Sequence, residues 1–137
     1  MVRKYSLVKH LLPAGLRVLA MEDEALIALD LQEMLLGSGA SDVIVARGLD
    51  DVERALADHP DIDVAIINLN PGVRAEADLL AAKAVQALGI PFLFATGSPG
   101  RHAAGALCDA VFVNKPYTRD IIVSAVMDVL ERASTAA

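Results

Sequence analysis

The sequence contains few of the residues that form disulfides, bind zinc or stack on nucleotide bases. Its 137 residues include one cysteine, three histidines and no tryptophan, and aromatic residues make up 4% of the chain. The single Cys108 cannot form an internal disulfide, and the spacing of cysteine and histidine indicates no zinc site, so we expect a reducing, cytoplasmic environment. Long apolar runs are also missing. No stretch approaches the roughly 20 residues of a membrane-spanning helix, so we expect no span.

Positive charge is scarce as well. The chain has 12 Lys and Arg against 18 Asp and Glu, which gives a net charge of -6. Because proteins bind nucleic-acid backbones largely through Lys and Arg, direct binding to nucleic acid is not expected, and a basic protein patch or a cation is the better candidate. What is abundant is Ala, Val, Leu and Ile, within a hydrophobic fraction of 55%. That composition favours helices packed on both faces of a buried sheet.

Short apolar runs alternate with helical patterns along most of the chain. They predict strands over residues 16–21, 42–46, 63–67, 91–96 and 110–114. They predict helices over residues 24–36, 49–59, 76–88, 97–108 and 118–132. Five β-α units joined by right-handed crossovers form an open parallel sheet, so the predicted fold is α/β and doubly wound, with the flavodoxin-like strand order 2-1-3-4-5.

The same patterns predict which helix residues face the core. The predicted inward residues are, for the first helix, Leu26, Ile27, Leu29, Asp30, Leu31, Met34 and Leu35; for the third, Leu79, Leu80, Val85 and Leu88; and for the last, Ile121, Ile122, Ala125, Val126, Val129 and Leu130. We expect Thr118 to cap the last helix. Gly100 and Gly105 should leave the helix over 97–108 short or mobile.

The domain is predicted over residues 16–132, between an N-terminal extension (1–15) and a frayed tail (133–137). The extension combines cations with apolar residues at helical spacing, ended by a proline and a glycine: Arg3, Lys4, Lys9, Leu7, Val8, Leu11, Leu12, Pro13 and Gly15. Packing against the domain or a second copy, a frayed leader, and a membrane-surface or partner helix all remain open.

Polar side chains follow the predicted strands at the points where they end. Glu22, Asp23 and Glu24 follow the first strand, Asn68 and Asn70 the third, Thr96 the fourth and Lys115 the fifth. Because the carboxyl ends of parallel strands meet at one edge, and ligands bind there where the winding reverses, we expect one cleft. Taken singly, Thr96 is more often a strand-end cap, Lys115 a surface charge and the acids a solvated loop.

The motifs at these strand ends resemble the receiver domain of two-component response regulators. They are Met21-Glu22-Asp23-Glu24, Phe94-Ala95-Thr96-Gly97 and Lys115-Pro116-Tyr117, together with the end of the third strand, and the resemblance covers residues 16–130. The Phe-Ala-Thr-Gly run further resembles a subgroup of receivers often paired with an atypical class of sensor histidine kinases. Ser98-Pro99-Gly100 departs from that subgroup.

The resemblance implies a role for each of these residues. Glu22, Asp23 and the backbone carbonyl of Asn70 would hold Mg²⁺, which prefers oxygen ligands in octahedral geometry. Thr96 would donate a hydrogen bond to a phosphoryl group, and Lys115 would neutralise its charge. Phe112 matches the aromatic residue whose rotation reports activation, although ordinary packing is the alternative for it. The stretch Asn68-Leu69-Asn70-Pro71 is one residue shorter than the usual spacing to proline.

Asn68 stands where receivers carry the Asp that accepts a phosphoryl group. An amide is neither anionic nor usefully nucleophilic, so acyl-phosphate chemistry and one metal ligand are lost together, and Mg²⁺ binding should be weak. We therefore expect an atypical single-domain receiver, not an enzyme, that acts through protein contact without aspartyl phosphorylation. The expected partner is a sensor histidine kinase or another signalling protein, and a homodimer is open.

Two other functions remain alternatives. One is a conventional phosphorelay receiver whose acceptor Asp has been changed to Asn68. The other is a flavodoxin-like flavin binder or phosphatase, because this fold hosts many activities. Against the second alternative, no glycine-rich phosphate loop follows the first strand, and few aromatic residues could stack on a flavin.

Overall fold

The predicted fold is confirmed in its strand order and in its helices on both faces. The structure, a computed structural model, describes residues 11–70, 72, 75–97, 105, 107 and 109–136. Within these residues lie five strands, namely β1 (Arg17–Met21), β2 (Asp42–Ala46), β3 (Val64–Asn68), β4 (Phe92–Thr96) and β5 (Val111–Asn114). The same residues include four helices, namely α1 (Ala25–Gly37), α2 (Leu49–Asp58), α3 (Ala75–Ala87) and α4 (Arg119–Ala136). The strands are parallel, in the order β2-β1-β3-β4-β5.

The central strand β3 is covered on both faces, and all five of its residues are buried. Side chains of a strand alternate between faces. Ile66 accordingly packs in the core cluster that includes α1 and α4, and Ile67 packs in the cluster that includes α2 and α3. Because both faces are apolar, the polar residues of the strand are displaced to its ends, which leaves Asn68 at the carboxyl edge.

The structure corrects several predicted helix faces. Leu26 and Leu29 are 81% and 52% exposed, and Asp30 is exposed as well, so α1 does not bury these three residues as predicted. Almost every position of α1 is apolar, so spacing alone cannot select a face, and the helix buries the arc that contains Ala28, Leu31 and Leu35.

The predictions for α3 and α4 are also wrong in part. Two residues predicted to face inward are exposed, namely Leu80 in α3 and Leu88, which directly follows the last residue of that helix. The helix buries the smaller Ala81 and Ala82 together with Val85. Small side chains let a helix approach its sheet closely, whereas Leu80 lies on the outer face of the helix. In the first turn of α4, Ile121 is exposed while the rest of the predicted stripe is buried or partly buried: Ile122, Ala125, Val126, Val129 and Leu130.

The structure also tests the predicted start and end of α4. The backbone N–H of Ile121 donates to Thr118 Oγ1 at 3.3 Å, which confirms the predicted cap of α4. That helix continues to Ala136, through most of the predicted frayed tail. Most of the predicted helix over 97–108, and residues 1–10 of the predicted extension, lie outside the described residues. None of the helices in the described part of the chain is long and apolar enough to cross a membrane.

Arg17 begins β1, and its positive charge is paired with neighbouring aspartates. Arg17 Nη2 lies 2.7 Å from an Asp42 oxygen, and Nη1 lies 2.6 Å from Asp61 Oδ1. These contacts raise the pKa of Arg17 and lower that of Asp61. The backbone N–H of Arg17 donates to Asp63 at 2.8 Å. This charged cluster occupies the amino edge of the sheet, so Asp63 lies at the end of β3 opposite Asn68.

Candidate functional site

The carboxyl edge of the sheet brings four of the predicted side chains together as two pairs. Lys115 contacts Glu22, and Asn68 contacts Asp23. The pairs join residues that are 93 and 45 positions apart in sequence. The parallel register produces this convergence, because it pairs Asn68 with Ala95 and Met21 with Ile67 at neighbouring strand ends.

Glu22 and Lys115 form a buried ion pair. Lys115 Nζ lies 2.6 Å from Glu22 Oε1, and the two side chains are 16% and 2% exposed, respectively. The second carboxylate oxygen of Glu22 accepts a hydrogen bond from the backbone N–H of Glu24 at 3.1 Å. Both oxygens of Glu22 therefore already have donors from the protein. A buried charge is tolerated only when it is paired and hydrogen-bonded, and here both conditions are met.

Asn68 uses its amide as a donor. Its Nδ2 donates to Asp23 Oδ1 at 3.2 Å. An ionised aspartate at the same position could only accept, so it could not form this bond. The other end of the amide, Oδ1, is buried, and no group in the described part of the chain donates to it. A buried acceptor without a donor is rare in folded proteins. The asymmetry makes this amide the most unusual polar group of the cleft.

Thr96 ends the fourth strand and Phe112 lies in the fifth, as the strand pattern predicts. Thr96 ends β4 and is buried, and its carbonyl accepts the backbone N–H of Lys115 at 2.8 Å. Phe112 lies in β5, with its ring centroid 5.2 Å from that of Phe94, which in turn lies 5.4 Å from Phe92. The ring of Phe112 thus packs at the end of an aromatic row. Its role as a switch remains a prediction.

Asp78 is a buried acid that the predicted site did not include. It lies in the first turn of α3 and accepts hydrogen bonds from the backbone N–H of Asn70 at 2.8 Å and from Asn70 Nδ2 at 3.3 Å. These bonds fix the connection that follows Asn68. A signal was present in the sequence, because Asp78 shares helical spacing with Ala81, Ala82 and Val85 and so interrupts an apolar stripe.

Tyr117 is a second residue whose environment the sequence did not reveal. Burial, together with the negative charges of Glu22 and Asp30, raises the pKa of Tyr117 from 10.0 to about 12. The side chain of Tyr117 packs against the core cluster that includes residues of α1 and α4.

The donor set fits Mg²⁺ poorly. Of the residues that the structure describes, no three Asp, Glu, His or Cys side chains are grouped so that they could hold a metal ion. A cation at Glu22 would have to displace Lys115, and a cation at Asp23 Oδ1 would compete with the Asn68 amide. Mg²⁺ prefers several oxygen ligands in octahedral geometry, and both oxygens of Glu22 and Oδ1 of Asp23 already accept hydrogen bonds from the protein.

Comparisons with known proteins find similarity in fold. No protein-family model and no curated protein matches the sequence. A response regulator receiver domain protein from Clostridium thermocellum superposes with a TM-score of 0.71 at 20% identity, over 89% of this chain and 99% of that one. A receiver protein from Sinorhizobium medicae gives a TM-score of 0.74 at 19% identity, over 87% and 97%. The response regulator PhyR from Brucella abortus gives 0.74 at 20% identity, over 98% of this chain and 55% of PhyR. The chain has the fold of these receiver domains.

Proposed function

We propose that this chain is a receiver-like signalling domain that acts by protein contact and is not phosphorylated on an aspartate. The fold that it shares with response regulator receivers supports the class. The observation that carries the mechanism is the hydrogen bond from Asn68 Nδ2 to Asp23. It supports the proposal because the Asn68 amide is a neutral donor, whereas acyl-phosphate chemistry requires a carboxylate nucleophile.

The charges of the cleft support the same proposal. Phosphoryl transfer needs a cation that stabilises the charge developing on the phosphoryl oxygens. Lys115 is the candidate cation, and its ammonium is already paired with Glu22 at 2.6 Å. The cleft thus satisfies its own buried charges through one ion pair and one amide bond, and it needs neither a phosphoryl group nor a metal to do so. Mg²⁺ binding is accordingly weak in this proposal.

A domain of this kind must be biased by something other than acyl-phosphate. Two-state signalling domains respond to any ligand that binds one state better than the other. We infer that a protein partner supplies this bias, and that the partner is a sensor histidine kinase or another signalling protein. In this proposal no phosphoryl group engages Thr96, and the switch role of Phe112 stays a prediction.

Affinity capture from extracts of the source cells, quantified by mass spectrometry, tests this function. The baits are the wild-type chain and Asn68→Asp, each with and without acetyl phosphate and Mg²⁺. We expect the wild type to retain the same partners under both conditions, because it has no acceptor carboxylate. A partner that the wild type gains or loses only after treatment with the phosphoryl donor would refute the proposal.

The second candidate is a conventional phosphorelay receiver that has lost its acceptor. It is favoured by the convergence of Glu22, Asp23 and Lys115 with Asn68 at one edge. For this candidate, Asn68→Asp should acquire a partner response to the phosphoryl donor that the wild type lacks. If Asn68→Asp takes up phosphate but its partners do not change, the phosphorylation-independent function is supported instead.

A further inference from the structure

The outer face of α1 carries exposed leucines. Leu26, Leu29 and Leu36 are 81%, 52% and 45% exposed. With the exposed acids Asp30 and Glu33 they lie within an arc of about 120°, because successive helix residues are about 100° apart. We call these five residues the α1 leucine surface. Three large apolar side chains exposed on one helix face form a candidate interaction site.

The negative charge of the α1 leucine surface indicates which kind of segment can bind to it. Both of its ionisable residues are acidic, and α1 contains no Lys or Arg anywhere along its length. Two copies of the α1 leucine surface facing each other would bring Asp30 and Glu33 of each copy towards the same acids of the other. Like charges in contact oppose association, so the surface fits a basic, apolar segment better than it fits a second copy of itself.

The chain enters the described fold beside the end of α1. The backbone N–H of Leu12 donates to the carbonyl of Ser38 at 2.6 Å, and Ser38 directly follows the last residue of α1. Leu12 is buried in the core cluster that includes α1, whereas Leu11 is 51% exposed. Residue 10 is therefore attached close to the end of α1 at which Leu36 lies.

Residues 1–10 have the composition that the surface requires. They contain Arg3, Lys4 and Lys9, no acidic residue, and the apolar Leu7 and Val8. The distance along α1 from Leu36 to Leu26 is about 15 Å, and ten residues of chain can reach at least that far. The segment is long enough to cover the surface from its point of attachment.

We propose that residues 1–10 bind the α1 leucine surface of the same chain. Apolar contacts with the three leucines and ion pairs with Asp30 and Glu33 hold the segment in place. Since α1 begins at Ala25, shortly after Glu22 and Asp23, the covered surface extends to the border of the cleft. The segment is then a built-in competitor of any partner that approaches along α1. This inference does not depend on the absence of phosphorylation.

Paramagnetic relaxation in the full chain tests the proposal. A nitroxide is attached at Ser6→Cys in a Cys108→Ala background, and amide relaxation is measured by NMR along α1. The matched control carries the label at Gln86→Cys, an exposed position of α3 on the opposite face of the sheet. We expect the label at position 6 to broaden residues 26–36 and the control label to leave them sharp. Equal broadening from the two labels would overturn the proposal.

Charge exchange separates specific docking from a segment that is merely nearby. Asp30→Lys with Glu33→Lys should reduce the broadening at least about twofold, as expected for the loss of exposed ion pairs. Adding Lys4→Glu and Lys9→Glu to that variant should restore it. The two substitutions in α1 leave the core unchanged, because Asp30 and Glu33 are exposed. Unchanged broadening, or no restoration, would contradict the proposed ion pairs.

A mixed sample identifies the chain that supplies the segment. Chain that carries the nitroxide but no ¹⁵N is mixed with chain that is enriched in ¹⁵N and carries no nitroxide. Sharp α1 signals in the enriched chain support docking within one molecule. Broadening of those signals would mean that the segment of a second copy occupies the surface, and it would overturn the intramolecular proposal.

Discussion

Asn68→Asp replaces the hydrogen bond at the centre of the cleft by a contact between two carboxylates. The Asn68 amide nitrogen lies 3.2 Å from Asp23 Oδ1, and Asn68 is 3% exposed. The substitution changes almost no volume, so its effect on stability is electrostatic. It also removes the only donor that Asn68 offers to Asp23, since an ionised carboxylate only accepts.

The size of the effect follows from the distance. Two unit charges 3.2 Å apart repel by about 5 kcal/mol at an effective dielectric constant of about 20. The folded protein can instead protonate one carboxylate, which costs about 4 kcal/mol at pH 7 for a group with a pKa near 3.9. Because protonation costs less than the repulsion, its cost is the upper limit. We therefore expect a loss of up to about 4 kcal/mol in the free energy of unfolding at pH 7.

The same repulsion determines how the stability of Asn68→Asp changes with pH. The pKa of the new carboxyl is raised in the folded state, so its penalty is present above the pKa of the unfolded chain and disappears as the pH falls below about 4. Mg²⁺ should also reduce the penalty, because its positive charge offsets the charges of the two carboxylates and relieves their repulsion.

Urea unfolding of the wild type and of Asn68→Asp, at pH 7 and near pH 4, with and without millimolar Mg²⁺, measures these effects. Asn114→Asp is the matched control, because it makes the same change of atoms at an exposed strand end, and it should stay within about 0.5 kcal/mol of the wild type. A loss at position 68 below about 1 kcal/mol at pH 7, or one that neither acid nor Mg²⁺ reduces, would refute the electrostatic reasoning.

Three further predictions concern the surroundings of the cleft. Lys115→Met leaves the Glu22 carboxylate buried and unpaired and should cost about 3–5 kcal/mol in urea unfolding, whereas the exposed Lys83→Met should cost little. Removal of the Asp78 carboxylate by Asp78→Ala should cost about 1–3 kcal/mol by the same assay, since the connection after β3 loses its acceptor. Tyr117 should titrate near pH 12 in ultraviolet absorbance, and Tyr117→Phe should remove that component. Because the unfolded phenol ionises near pH 10 and the folded one near 12, stability should fall as the pH rises between these values.

The strand ends could be predicted from the sequence because the apolar run of a strand stops there and the spacing of a helix begins soon after. β3 is a continuous apolar run that stops at Asn68, and helical spacing resumes a few residues later. Parallel connectivity then requires Asn68 and Thr96 to share an edge with Glu22. Backbone geometry alone places these residues, so no knowledge of side-chain packing was needed.

Side-chain choices were less predictable for reasons that differ between sites. In α1, the leucine at position 26 is as apolar as the buried Leu31, and only the contact with the sheet distinguishes them. Lys115 had several acids within reach, and its pairing with Glu22 depends on where each side chain can be buried. Asp78 satisfies a backbone donor in a connection whose conformation no local pattern specifies.

The central claim is that the cleft cannot capture a phosphoryl group, and intact mass measurement tests it most directly. Wild type, Asn68→Asp and Asn114→Asp are incubated with acetyl phosphate and Mg²⁺ and weighed before any adduct can hydrolyse. We predict no change for the wild type and for Asn114→Asp, and a gain of about 80 Da for Asn68→Asp if its carboxylate becomes an acceptor. A stable gain of that size on the wild-type peptide that contains Asn68 would contradict the claim.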